Sequence, residues 1–174
     1  MKKKIRSYLV LFVIAGLIIA LDQWSKALVR SNLDMGEIWV PWAWLSPYAR
    51  VVHWYNTGVA FGMFQDHGII FKVLNSIIAA MILIFYPKLS ENDWFLKVAL
   101  SMQFGGAVGN LIDRFTIGHV TDFISLGNFA VFNVADAAVT LGVGVMIIGL
   151  WVQERREKEQ KALAENKNAG DQPG

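Results

Sequence analysis

Four long apolar runs dominate the sequence and limit the folds that are open to this chain. They cover residues 8–29, 68–86, 95–112 and 132–152. At a rise of about 1.5 Å per residue, helices of about 20 residues cross a hydrocarbon layer about 30 Å thick. Hydrophobic residues make up 55% of the 174-residue chain, and a single soluble core of this size could not bury them. The sequence therefore predicts a mainly α membrane protein with four transmembrane helices.

The first apolar run has an alternative interpretation as a cleaved signal peptide, because the basic segment MKKKIR precedes it. No small-residue cleavage site ends this run, however, and three further runs follow. We therefore expect one four-span membrane domain over residues 1–152 and a polar tail over residues 153–174.

Basic residues in both terminal tails predict the orientation of the spans. Four spans place the two tails on one side, and the excess of Lys and Arg assigns that side to the cytoplasm. Residues 30–67 and 113–131 would then lie outside. The first of these loops is rich in Trp and Tyr, and its segment ARVVHWY alternates as a strand does. We expect a small β-rich extracytoplasmic platform between spans one and two. It is either an ordinary aromatic belt or a surface that meets a lipidic or amphipathic partner.

Polar residues gather near the outer ends of the predicted spans. Asp136 lies about one turn inside the fourth run, where a carboxylate is costly and is therefore a candidate functional group. Asp122 precedes it in the second outer loop, and Gly127 with Asn128 can turn the chain so that both carboxyl groups meet. The other polar or turn residues that converge at this depth, and so are further candidates, are Asp22, Lys26, Asn56, Gly58, Asn110, Asp113, Arg114 and Asn133.

Two neighbouring carboxyl groups form a pattern that suits acid–base catalysis. They cannot both ionise at short distance, and burial further favours the neutral form. One group then stays protonated near neutral pH while the other accepts a proton from water, as in aspartic proteases. The sequence has no Cys, no Ser–His pairing, no cluster of metal ligands and no phosphate-binding loop that would compete with this interpretation.

Several of these residues also have simpler structural interpretations. Asp22 and Lys26, four residues apart, could form an ion pair that ties off the first helix. Asn133 could serve only as a helix cap, and Asp122 could be an ordinary loop carboxylate in water. Residues 56–58 could be a turn, and residues 113–114 could be an interfacial ion pair or a capping feature.

Five motifs, LDQWSK, YNTGVAF, GGAVGNLIDR, HVTDF and FNVADAAV, follow one another between Leu21 and Val139. In order and spacing they resemble bacterial lipoprotein signal peptidase, or signal peptidase II, a family of four-span aspartic endopeptidases. Val59 and Thr121 differ from the Ala and Val that are common in the family. The resemblance implies that Asp122 and Asp136 are the catalytic pair and that supporting roles belong to Asp22, Asn56, Asn110, Asp113, Arg114 and Asn133.

The resemblance also implies the substrate and the partners. The substrate would be a prolipoprotein whose Cys carries a diacylglyceryl group, cut on the N-terminal side of that Cys at the outer face of the bacterial cytoplasmic membrane. The enzyme would be a monomer that works among membrane lipids, without metal, nucleotide or nucleic acid, and the Trp-rich loop would grip the substrate. The alternatives are a small proton-coupled transporter with Asp136 as a relay, and a structural subunit whose aromatic loop binds a partner protein.

Overall fold

The computed structural model describes residues 2–56, 68–90 and 93–170, and four long helices account for most of them. They are α1 (Lys2–Asn32), α2 (Gly68–Phe85), α3 (Trp94–Thr116) and α4 (Val134–Gly170). Four stretches are long and apolar enough to cross a membrane: Tyr8–Asn32, Ile69–Lys88, Trp94–Thr116 and Val134–Lys161. The predicted four-helix membrane fold is confirmed. A domain boundary after residue 152 remains a prediction, since α4 continues through that position.

Helix α3 lies at the centre of the bundle, where it packs against α1, α2 and α4. Glycines allow two of these close approaches. A Cβ atom built at Gly105 would lie 3.0 Å from Ala15 Cα in α1, and one built at Gly106 would collide with the Ala135 carbonyl in α4. Close backbone contact of this kind is typical of helix packing in membranes. The other faces of the bundle carry exposed apolar side chains such as Leu17 and Ile69.

A three-stranded antiparallel sheet covers one end of the bundle, which we call the sheet end; the opposite end, where α4 extends beyond the bundle, is the tail end. The strands are β1 (Ile38–Trp39), β2 (Ala49–Asn56) and β3 (Val120–Leu126), in the order β1–β2–β3. The predicted platform is thus completed by a third strand, which comes from the segment between α3 and α4.

Asp122 lies in β3, where it is opposite Trp54 of β2, and only 1% of its surface is exposed. Its interpretation as a solvated loop carboxylate is therefore wrong, because pairing with a strand distant in sequence buries it.

The chain turns back after β3, as the sequence predicts. Gly127 has a positive φ of 52°, which glycine adopts at little cost. Beyond the turn, Phe132 N donates to Ile124 O at 3.0 Å and Ile124 N donates to Phe132 O at 2.7 Å. This return places the first turn of α4 beside β3 and so brings Asp136 to the level of Asp122.

Large aromatic side chains project from the sheet and its loops. Trp44 and Tyr48 are 68% and 69% exposed, and the rings of Trp42 and Trp44 stack with centroids 6.2 Å apart. Exposed Trp and Tyr side chains of this kind favour the headgroup level of a bilayer. The sheet end therefore has the surface expected of a membrane interface.

Candidate active site

Asn133 connects the two candidate catalytic carboxyl groups. Its side-chain amide donates to Asp122 Oδ1 at 2.6 Å, and its Oδ1 accepts from the Asp136 backbone N at 3.0 Å. Asp136 Oδ2 in turn accepts from the Asn133 backbone N at 3.3 Å. These reciprocal bonds form a capping box at the start of α4. Asn133 is thus the helix cap that the sequence allows, and it also holds Asp122.

Two further amides bind the remaining oxygens of the pair. Asn56 Nδ2 donates to Asp122 Oδ2 at 2.7 Å, and Asn110 Nδ2 donates to Asp136 Oδ1 at 2.8 Å. Asn133 Nδ2 also lies 3.2 Å from Asn110 Oδ1. All four carboxyl oxygens therefore accept hydrogen bonds from nitrogen donors. Within the described part of the chain, no Lys or Arg lies within ion-pair distance of either carboxyl group.

Burial changes the acidity of Asp122. Loss of solvent and the nearby Asp136 carboxylate raise the pKa of Asp122 from 3.8 to about 7, although the donors on Asn56 and Asn133 act in the opposite direction. Asp122 therefore changes its protonation state near neutral pH. Asp136 is less buried and lines a groove, so the two members of the pair differ in their access to a substrate.

A buried ion cluster supports the pair from the side of α1. The Lys26 cluster consists of Asp22, Lys26, Arg30 and Asp113. Lys26 Nζ lies 2.8 Å from Asp22 Oδ2 and 3.2 Å from Asp113 Oδ2, and all three side chains are fully or almost fully buried. Lys26 Nζ also donates to Asn110 Oδ1 at 2.9 Å. Because the oxygen of the Asn110 amide faces Lys26, its nitrogen is left to face Asp136.

The two carboxylates of the Lys26 cluster also fix the elements that carry the catalytic pair. Asp22 Oδ1 accepts from Ala135 N, in the first turn of α4, at 2.9 Å. Asp113 Oδ2 accepts from Thr121 N, the residue before Asp122, at 3.1 Å. The interpretation of Asp22 and Lys26 as a structural ion pair therefore agrees with their contacts, and the pair has a direct connection to the site.

Two further members of this network, Arg30 and Gln23, are not among the residues predicted from the sequence. Arg30 lies 3.6 Å from Asp113 Oδ1, and it also donates to Thr121 Oγ1 at 3.1 Å. Gln23 Nε2 donates to Asp113 Oδ1 at 3.1 Å and to the Gly109 carbonyl at 3.0 Å. Arg30 follows Lys26 by one helical turn, and this spacing was a usable signal. No comparable pattern marks Gln23.

A groove of about 690 Å³ opens beside Asp136, between α2, α3 and α4. Helix α3 contributes a stripe of side chains to it, which are Gln103, Ala107, Asn110 and Arg114. The Arg114 guanidinium lies 5.7 Å from the Phe71 ring centroid, and its Nη1 atom is buried without a hydrogen-bond partner among the described residues. The interpretation of Asp113 and Arg114 as an ion pair with each other is wrong: Asp113 pairs with Lys26 and Arg30, whereas Arg114 lines the groove.

The predicted site residues that the structure describes gather at the sheet end of the bundle. Gly58 lies outside the described residues, as does Val59. Among the residues that are described, no group of three His, Asp or Glu side chains is arranged to hold a metal ion.

Comparison with known proteins identifies the family. The sequence profile described as Signal peptidase (SPase) II matches residues 14–152, which include every motif quoted above. This chain belongs to the signal peptidase II family. The resemblance seen in the five motifs is thus confirmed, and the chain is a membrane peptidase rather than a transporter or a structural subunit.

Relatives and solved structures agree with this family. The lipoprotein signal peptidase of Shouchella clausii is 38% identical over 151 residues, which cover 84% of this chain and 96% of the relative. That of Enterococcus faecalis is 34% identical over 158 residues, covering 90% of this chain and 96% of the relative. A bacterial membrane enzyme structure solved at 2.3 Å by the in meso method has a TM-score of 0.78 and 29% identity. The alignment covers 86% of this chain and 92% of that one.

Proposed function

We propose that this peptidase removes signal peptides from prolipoproteins whose Cys carries a diacylglyceryl group, and that it cuts on the N-terminal side of this Cys. The relatives that match the chain over most of its length are lipoprotein signal peptidases, which supports the substrate class. The observation that carries the proposal is the amide-bridged pair of Asp122 and Asp136 beside a largely apolar groove. Such a groove suits a substrate that is itself embedded in the membrane.

The two carboxyl groups divide the acid and base roles. Asp136, which lines the groove, accepts a proton from a water molecule as that water attacks the scissile carbonyl carbon. Asp122, protonated near neutral pH, donates a hydrogen bond to the carbonyl oxygen as negative charge develops there. The proton held by Asp136 then passes to the leaving nitrogen, so the peptide bond breaks with a neutral amine as the leaving group.

We further propose that the sheet end faces the outside and that both termini are cytoplasmic. The basic side chains Arg155, Arg156, Lys158 and Lys161 lie at the tail end, which supports this orientation by the positive-inside rule. The exposed side chains of Trp39, Trp42, Trp44 and Trp54 lie at the opposite end, whereas those of Trp94 and Trp151 are exposed toward the tail end. A signal peptide that enters the membrane from the cytoplasm would then present its cleavage site at the depth of Asp136.

The substrate class can be tested with the purified full-length chain in detergent micelles. A synthetic peptide that contains a signal helix and a diacylglyceryl Cys should be cut directly before this Cys. The same peptide with a short S-alkyl group in place of the diacylglyceryl group should be cut at an initial rate at least about tenfold lower. It lacks the binding energy that the acyl chains supply. Mass spectrometry of the products gives the bond, and initial rates give the ratio. Equal rates for the two peptides would contradict recognition of the lipid.

The pH dependence tests the division of roles. Because the pKa of Asp122 is about 7, its protonated fraction falls about tenfold per pH unit at higher pH. We expect kcat/KM to fall with a one-proton dependence as pH rises through 7. Stability should also fall between about pH 4 and 7, since the folded state binds the proton more tightly there, and then level off. An activity that instead rises through pH 7 would make Asp122 the base.

A further inference from the structure

The groove beside Asp136 holds two amide side chains that the proposed chemistry does not use. Gln103 comes from α3 and Asn75 from α2. Gln103 Nε2 is buried, and it has no hydrogen-bond partner within the described part of the chain. Asn75 likewise makes no side-chain hydrogen bond to another described residue. Unpaired amide donors are unfavourable in a membrane interior, so their presence in a groove points to a ligand that supplies acceptors.

Gln103 lies on the membrane-interior side of the catalytic pair, and Asn75 lies nearer to the level of the pair. Gln103 precedes Asn110 by two helical turns, which places it about 10 Å further along α3 toward the tail end. Its aliphatic stem packs on α4, where a Cβ atom built at Gly142 would lie 3.0 Å from Gln103 Cγ. Asn75 lies one turn beyond Phe71, the residue whose ring contacts Arg114. The amides therefore line the route by which a membrane-embedded segment would reach Asp136.

The proposed substrate has unpaired acceptors along this route, and the inference rests on that proposed function. A signal helix must end before the scissile bond so that the bond can be attacked. The last four carbonyl groups of a helix have no hydrogen-bond partner within the helix, and the hydrocarbon layer contains no water that could donate to them instead. Three extended residues span about 10 Å. A signal helix that ends at the depth of Gln103 can therefore place the scissile bond beside Asp136.

We propose that Gln103 and Asn75 are positioning residues that donate hydrogen bonds to the carbonyl groups at the end of the signal helix and in the extended stretch after it. The groove accommodates a helix because α2 and α4 pack against α3 and make few contacts with each other. Its walls are apolar apart from these amides, Thr140 and the catalytic level, with Ile78, Ala107 and Val139 among the lining residues. The two amides thus fix how far the substrate helix extends toward the carboxylates.

The test uses Gln103→Leu and Asn75→Leu, which replace the donors with apolar side chains of similar size. The control is Gln153→Leu, since Gln153 is exposed at the tail end and lies outside the groove. The substrate is a full-length prolipoprotein with its diacylglyceryl group, and the isolated signal-helix peptide serves as a competitive inhibitor. Each amide variant should raise KM and the inhibition constant about threefold to tenfold, while kcat stays within about twofold. The control should change neither constant. Thermal unfolding confirms that each variant is folded.

The outcomes separate this inference from the proposed function. If the unmodified enzyme does not cleave the lipidated substrate, the proposed function itself fails. If it cleaves the substrate but both folded variants keep their KM and inhibition constants, the positioning role is wrong. A loss of kcat with an unchanged inhibition constant would also overturn it, because the amides would then act on the carboxyl groups rather than on the signal helix.

Discussion

Replacing either Asp122 or Asp136 with Asn is expected to lower kcat by about 10³- to 10⁴-fold. The Asn side chain has nearly the shape of Asp, but it can neither accept the proton of the attacking water nor supply an acidic proton to the carbonyl oxygen. Both residues should be needed, since Asn133 donates to both carboxyl groups, to Asp122 from its side chain and to Asp136 from its backbone N, and so holds them as one unit. The measurement is single-turnover cleavage of a diacylglyceryl peptide by each purified variant.

The surrounding amides require a check of folding for these two variants. Each new Asn carries an NH₂ group where all the present partners are donors, so one neighbouring amide must rotate or lose its bond. We expect a loss of about 1–2 kcal/mol in the free energy of unfolding, which leaves the protein folded. Asp34→Asn is the matched control, because Asp34 is exposed at the sheet end and should retain full activity. Near-normal turnover by Asp122→Asn or Asp136→Asn would remove that residue from the reaction.

The sequence predicts those parts of the site that depend on local spacing. Asn133 and Asp136 are three residues apart at the start of an apolar helix, and this spacing alone allows a reciprocal cap. Asp22 and Lys26 are one turn apart in α1, so their pairing is also local. The four spans follow from apolar length, because a membrane helix satisfies its backbone hydrogen bonds within itself.

The parts that the sequence leaves open depend on contacts between distant segments. The pairing of Trp54 with Asp122 joins β2 to β3, and nothing in either strand specifies the other as its partner. Adjacency in sequence suggests an ion pair between Asp113 and Arg114. Successive residues of a helix point in different directions, however, so Asp113 reaches Lys26 whereas Arg114 enters the groove. The unpaired amide of Gln103 is visible only once the packing around it is known.

Lys26→Met is expected to lower the free energy of unfolding by about 3–5 kcal/mol. Lys26 is completely buried between the carboxylates of Asp22 and Asp113, and its removal leaves a negative charge that no solvent can stabilise. Activity should fall as well, because the Asn110 oxygen loses the donor that turns its nitrogen toward Asp136. Lys158→Met removes the same charge from an exposed ion pair with Glu154, so it should change stability by less than about 1 kcal/mol. Reversible unfolding in micelles provides the comparison.

A double variant distinguishes charge from packing as the cause of this loss. The Lys26 cluster contains two cations and two carboxylates, so Lys26→Met leaves it with one excess negative charge. Adding Asp22→Asn restores neutrality and keeps an oxygen that can accept from Ala135 N. We therefore expect Lys26→Met/Asp22→Asn to be more stable than Lys26→Met alone and to recover about half of the lost free energy. If the double variant is less stable than the single one, the ammonium group acts by filling space and by orienting Asn110, and the uncompensated charge is not what destabilises the fold.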